Sequence, residues 1–185
     1  MALTASNPFS VDKTAPDFKL LNVVSKEINS LNQLKGNKGT LVLFICNHCP
    51  YVIHINEFLV SLANNYQKKG INFIAISSND VETYPQDGPE KMKELSESVG
   101  YPFPYLFDET QEVAKAYDAA CTPDIFLFDK DLQIHYHGQL DDSRPGNDIP
   151  VTGKDLITAM DLLLQEKRYQ RKELPSMGCG IKWKK

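Results

Sequence analysis

Cysteine is scarce in this chain. Its four positions, Cys46, Cys49, Cys121 and Cys179, are too few to staple 185 residues together. That excludes a disulfide-framed secreted scaffold, which packs several bridges into a much shorter chain. Long apolar runs are missing as well. Nothing approaches the roughly 18 residues a membrane helix needs, so no membrane partner is expected. Met1 to Ala15 has neither the basic start nor the continuous apolar run of a secretory signal, and a cytoplasmic location is the expectation. Nor is there a large excess of charge of one sign. The net charge is −4, which gives no reason to expect nucleic acid as the main partner. No repeat or low-complexity segment stands out. What is present is ordinary for a globular protein: 42% hydrophobic and 24% charged residues, enough chain to bury a core without crosslinks.

The pattern along the chain is α/β. Residues 1–14 read as an irregular lead-in. Ala15-Pro16-Asp17-Phe18-Lys19-Leu20 opens an extended piece, and Ile28 to Leu34 holds a short return strand and a helical turn closed by Gly36. The strongest strand is Thr40 to Ile45, a continuous apolar run of the kind buried on both faces of a sheet. Helical spacing of Val52, Ile55, Phe58, Leu59 and Leu62 predicts a helix from Pro50 to about Lys69, stopped by Gly70. Ile71 to Ile76 is a second buried strand, so a βαβ unit with parallel strands follows. Further helices are expected over Asp87–Val99, over Thr110–Ala119 with Thr110 as cap, and over Lys154–Lys167. Short strands are expected at Tyr105–Phe107 and at Ile125–Phe128. The last of these opens a hairpin answered by Leu132 to Leu140, on which His135 and His137 share a face, most simply the solvent side. The main domain therefore spans residues 15–167. Residues 168–185 form a tail with no predicted element. From Glu166 onward seven Lys and Arg stand against two acids, net +5, leaving −9 for the rest. The plain reading is a solvated tail drawn to an acidic body. The sharper one is a partner-docking or nucleic-acid arm.

Chemistry concentrates at Cys46-Asn47-His48-Cys49-Pro50, where the central strand meets the helix. Pro50 suits the first helical position, which makes Cys49 the N-cap and sets its sulfur over the first-turn amides. A thiolate is the reactive form of cysteine, and such a place favours it. Cys46 is close enough in sequence to bond with Cys49, and His48 between them can assist proton transfer. Cys121-Thr122-Pro123 precedes a strand and is a plausible cis-proline site.

These features resemble the thioredoxin superfamily, in particular its peroxiredoxin-like branch, the alkyl hydroperoxide reductase/thiol-specific antioxidant group. Ala15-Pro16-Asp17-Phe18 looks like that branch's opening motif. Leu41–Ile45 with Cys49-Pro50 looks like its active-site strand and helix start, and Thr122-Pro123 like the cis-proline loop facing the active cysteine. Cys46–Pro50 with Tyr51-Val52, and Gly178-Cys179-Gly180-Ile181-Lys182-Trp183 near the end, look like an uncharacterised subgroup. The resemblance implies a thioredoxin-like α/β fold, a central mixed sheet flanked by helices, with an N-terminal hairpin and a C-terminal extension. It implies a thiol-dependent oxidoreductase with antioxidant or disulfide-exchange activity and no cofactor. Cys49 would attack a peroxide or a disulfide, Cys46 would resolve the product, and a thiol reductant would restore both. Cys121, beside Pro123, is a second possible resolver, and Cys179 on the tail a third.

The sequence also departs from the pattern. The second cysteine of a thioredoxin C-x-x-C would fall at Val52. The threonine and proline of a peroxiredoxin signature would fall at Cys46 and Val42, and its arginine has only Arg144 as a candidate. Two rival readings follow. Cys46, His48, Cys49 and His54 offer ligands for zinc or copper, at a spacing unlike the usual structural zinc sites. A non-catalytic binding module on the same fold is the other.

Overall fold

The side chains of Leu41, Leu43 and Ile45 enter one buried cluster and those of Val42 and Phe44 another, and all five have essentially no exposed surface. That is why the strand reads as one unbroken apolar run. Burial of each such side chain stabilises by about 1.5–3 kcal/mol, and the alternation of a strand sends neighbours to opposite layers.

A computed structural model describes residues 3–8, 13–170 and 173–185. In chain order the strands are β1 (Leu3–Ala5), β2 (Lys19–Asn22), β3 (Ile28–Ser30), β4 (Gly39–Phe44), β5 (Ile71–Ser77), β6 (Tyr105–Phe107), β7 (Cys121–Thr122), β8 (Asp124–Asp129), β9 (Ile134–His137) and β10 (Met177–Gly180). The helices are α1 (Leu31–Leu34), α2 (Pro50–Ile53), α3 (Asn56–Tyr66), α4 (Pro89–Val99), α5 (Glu112–Tyr117) and α6 (Lys154–Leu164). Seven strands form the main sheet in the order β3-β2-β6-β5-β4-β8-β9. β4, β5 and β6 run parallel, as a βαβ unit requires, and the remaining pairs are antiparallel. β2 and β3 are the expected N-terminal hairpin. The two clusters cover the two faces. One holds Leu59, Met92 and Leu156 of α3, α4 and α6; the other holds Phe18, Tyr117 and Phe128. This is the mixed sheet flanked by helices that a thioredoxin-like fold requires. Among the described residues, no helix is long and apolar enough to cross a membrane.

Several local expectations change. The helix after Cys49 is two helices: at Ile55 (φ −110°, ψ 0°) the chain leaves α geometry before α3 begins. Val52, Ile55, Leu59 and Leu62 still face one cluster across the break, so apolar spacing could not reveal it. Thr110 is not the cap of α5. Gln111 takes a left-handed conformation instead, and Asp108 accepts from the Val113 and Ala114 amides. His135 and His137 do not share a face. A register shift between Leu127 and Phe128 leaves His135 as the extra residue of a bulge. It turns toward the Ala159 carbonyl of α6, while His137 is buried with Nε2 2.7 Å from Asp124 Oδ1.

The largest correction lies at the ends of the chain. The lead-in contributes β1 and the tail contributes β10, and with β7 they form a second, three-stranded antiparallel sheet in the order β1-β10-β7. The tail is also fastened beyond β10. Asn79 Oδ1 accepts from the Lys182 amide at 2.8 Å, Gln111 Nε2 donates to the Lys182 carbonyl at 2.8 Å, and Gln111 Oε1 accepts from the Lys184 amide at 2.8 Å. Residues 173–185 are therefore not a solvated tail. The basic residues Arg171 and Lys172 lie outside the described residues.

One contact ties α3 to the loop after α4. Tyr101 Oη donates to Asn56 Oδ1 at 2.6 Å, and both residues are buried. Tyr101→Phe leaves the Asn56 carbonyl without that donor, and the expected loss is about 1–2 kcal/mol, read as a lower denaturant midpoint. An unchanged midpoint would show that the bond is replaced at no cost.

Candidate active site

Cys49 sits where the sequence places it, as N-cap of α2 with Pro50 at the first helical position. Its sulfur makes no capping hydrogen bond to the helix amides, however. Sγ instead faces the cis-proline loop and donates to the Thr122 carbonyl oxygen at 3.0 Å. The Thr122–Pro123 peptide is cis, as expected.

Three neighbouring residues act on the same sulfur: Cys46 at the end of β4, Thr122, and Cys179 through both its thiol and its backbone N–H, and each favours the charged form. Cys46 Sγ also lies 3.4 Å from Thr122 Oγ1. Each of these groups can donate to a sulfur anion, and donors stabilise the charged form. The Cys46 thiol contributes most, and together they hold the Cys49 pKa well below the ordinary thiol value of 9, against burial, which raises it. The Thr122 carbonyl accepts from the neutral thiol and so acts with burial. The complement appears on the neighbours. Cys46 is raised by its bond to Cys49, by burial and by the nearby Asp87 carboxylate. Cys179 is pushed up to about 12, by burial first and then by Cys49. The site is built so that one sulfur ionises at the expense of two others, and all four cysteines are free thiols.

Asp87 shapes the Cys46–Cys49 loop from beneath. This fully buried carboxylate accepts from the Asn47 amide at 2.8 Å and from Asn79 Nδ2 at 2.9 Å. His48 Nδ1 stands 2.6 Å from its Oδ2, at ion-pair distance but outside hydrogen-bonding geometry. The His48 ring stacks on Tyr84 at 5.5 Å. His48 is therefore turned toward Asp87, and among the described contacts it makes none to Cys49. Sequence reasoning missed Asp87 because Asp-Gly-Pro reads as a helix start, which it also is.

Cys121 is brought near the site but its thiol is directed elsewhere. It donates to the Pro123 carbonyl at 3.5 Å and the Ser176 carbonyl at 4.0 Å, and burial raises its pKa. Pro123 lines a small cleft with Tyr51, His54, Arg144, Ser176 and Met177. The cleft has a volume of about 20 Å³, room for about one water. Arg144, the one candidate for a peroxiredoxin-like arginine, is spent on its own loop: it donates to the Asp141 and Ser143 carbonyls at 2.6 Å and to Gln139 Oε1 at 2.5 Å.

The four proposed metal ligands do not converge. His54 bonds to Ser143 Oγ instead. Among the described residues the ligand atoms that do cluster are those of Cys46, His48 and Asp87. Two of these stand only 2.6 Å apart. Ligand atoms held about 2.0–2.3 Å from a tetrahedral zinc are spaced more widely than that, so this pair reads as a close histidine–carboxylate contact and not as two ligands of one ion.

A thioredoxin-like sheet, a cysteine capping the helix after the central strand and a cis-proline loop across from it define a thiol-redox class of protein. The chain belongs to the AhpC/TSA family, whose model matches residues 11–137. It is 29% identical over 131 residues to the thiol-disulfide oxidoreductase ResA of Geobacillus thermodenitrificans (strain NG80-2), covering 71% of this chain and 70% of that one. Two solved structures match nearly end to end. An uncharacterized conserved protein from Geobacillus kaustophilus is 55% identical with a TM-score of 0.97, over 100% of this chain and 97% of that one. A hypothetical protein from Sinorhizobium meliloti 1021 is 43% identical with a TM-score of 0.95, over 98% of each.

Proposed function

We propose that the protein is a thiol–disulfide oxidoreductase in which the Cys49 thiolate attacks a disulfide substrate. The observation that carries this reading is the place of Cys49 Sγ, at the N-cap of α2 and 3.0 Å from the Thr122 carbonyl of the cis-proline loop, where neighbouring donors favour its charged form. A stabilised thiolate is a nucleophile at neutral pH, and it is also a good leaving group when the bond it formed is broken again. A second thiol of the same site then resolves the mixed disulfide, with Cys46 and Cys179 both packed in the same buried cluster as Cys49 and both against Thr122. An external thiol reductant returns the pair to the free state. Peroxide reduction is the weaker reading, because Arg144, the arginine that would help polarise a peroxide, is bound to its own loop. A cytosolic setting fits the four free thiols.

The test is turnover of a small disulfide, such as hydroxyethyl disulfide, with a dithiol as donor and Cys49→Ser as control, run beside the same assay with hydrogen peroxide. Disulfide turnover that depends on Cys49 supports the reading. Turnover of peroxide alone would replace it with a peroxidase, and turnover of neither would favour a binding module on this fold.

A further inference from the structure

Cys179 is carried by β10 to the cis-proline loop that the Cys49 sulfur faces. It lies between Gly178 and Gly180, paired with Thr122 of β7 on one side and Leu3 of β1 on the other. Gly178 lies directly on the cis-proline loop: a Cβ there would stand 1.9 Å from the Thr122 carbonyl oxygen and 2.6 Å from its carbon. At Gly180 a Cβ would meet Thr4 Oγ1 at 3.0 Å. Only a segment stripped of flanking side chains can lie this close, and the one it keeps is a thiol. The approach is fixed from both ends. Before the strand, Ser176 N donates to Ser6 Oγ at 3.0 Å and Ser6 N to the Ser176 carbonyl at 2.8 Å. After it, Asn79 and Gln111 hold Lys182.

We infer that Cys179, delivered by β10, is the thiol that resolves Cys49. The inference rests on the reading of Cys49 as the attacking sulfur and names its partner. In the first step the Cys49 thiolate attacks a substrate disulfide R–S–S–R′, forming Cys49–S–S–R and releasing R′S⁻. In the second, the Cys179 thiol passes its proton to the released thiolate and attacks Cys49 Sγ, forming Cys49–S–S–Cys179 and releasing RS⁻. The substrate gains two electrons and the two cysteines lose them, and an external thiol returns them. Cys46 is the less suited of the two neighbours, since its sulfur lies within 4.8 Å of the buried Asp87 carboxylate, whereas the Lys182 ammonium, which donates to the Gly180 carbonyl at 3.0 Å, stands next to Cys179.

The experiment oxidises the reduced protein with one equivalent of hydroxyethyl disulfide, blocks the remaining thiols with an alkylating agent and maps the linkage by mass spectrometry. The expected result is a Cys49–Cys179 bond with Cys46 alkylated. In Cys179→Ser the mixed disulfide on Cys49 accumulates and turnover falls at least about tenfold, while Cys46→Ser still closes the Cys49–Cys179 bond. A Cys46–Cys49 bond in the wild type, or a mixed disulfide that clears as fast in Cys179→Ser, would overturn the assignment and leave Cys49 as nucleophile. Absence of any adduct on Cys49 in Cys179→Ser would sink the reading of Cys49 itself.

Discussion

Replacing Cys49 with serine is expected to abolish disulfide turnover, a loss on the order of a thousandfold or more, while the fold persists. The reason is electrostatic. In the wild type Cys46, Thr122 and the Cys179 thiol and amide beside the sulfur each favour its charged form, because donors are worth more to S⁻ than to SH. A serine oxygen keeps the geometry but stays protonated at any accessible pH. The sign of the pH effect follows. The Cys49 pKa is depressed, so the thiolate is present throughout the neutral range and is lost only as the pH falls through the lowered value. Cys46 and Cys179 are shifted the other way and stay protonated there. Titration of the reduced protein by thiolate ultraviolet absorbance should therefore show one group ionising well below 9, absent in Cys49→Ser. In Cys46→Ala that group should move up toward the ordinary value, since the Cys46 bond contributes most. A titration with no thiolate below the ordinary range would mean that burial and the Thr122 carbonyl, 3.0 Å from Sγ, outweigh the donors.

The parts of the molecule governed by apolar burial were legible in the sequence. β4 and β5 announce themselves as unbroken runs because both faces are covered, and Tyr105–Phe107 and the hairpin of β2 and β3 stand between turn signals. The Cys49 cap was legible too, through Pro50, which restricts the backbone whatever surrounds it; the cis Thr122–Pro123 peptide was legible only through the family resemblance, since proline by itself is seldom cis. What escaped is held by main-chain pairing or by buried polar contacts. β1 and β10 contain Leu-Thr-Ala and Met-Gly-Cys-Gly, too short for an apolar alternation to stand out, and they pair with each other across the whole length of the chain. Pairing over that separation leaves no local trace. Asp87, Asn79 and Gln111 act through hydrogen bonds to distant backbone, and a polar side chain does not show in the sequence which amide it will meet. The bulge at His135 is of the same kind: alternation predicts faces only while the register holds.

Gly178→Ala is expected to cost about 3 kcal/mol, the upper part of the range for overpacking a closed interior, and to loosen the site as well. The added carbon would stand 1.9 Å from the Thr122 carbonyl oxygen, 2.6 Å from its carbon and 3.2 Å from the Pro123 nitrogen. These are backbone atoms and cannot swing aside as a side chain would, so β10 must lift from β7. Lifting it strains the pairing of Cys179 with Thr122 and of β10 with β1. It also withdraws the Cys179 thiol and amide from Cys49 Sγ, so two of the donors that favour the thiolate are lost. A lower denaturant midpoint should thus come with a Cys49 thiolate that titrates higher, and with slower closure of the Cys49–Cys179 bond. The corresponding change at Gly180 meets only Thr4 Oγ1 at 3.0 Å, a side-chain atom that can rotate, and Gly180→Ala should disturb all three far less. Equal effects at the two glycines would mean that the close approach to the cis-proline loop is not what seats Cys179. A loss confined to stability at Gly178 would mean that the strand holds the fold together without tuning the sulfur.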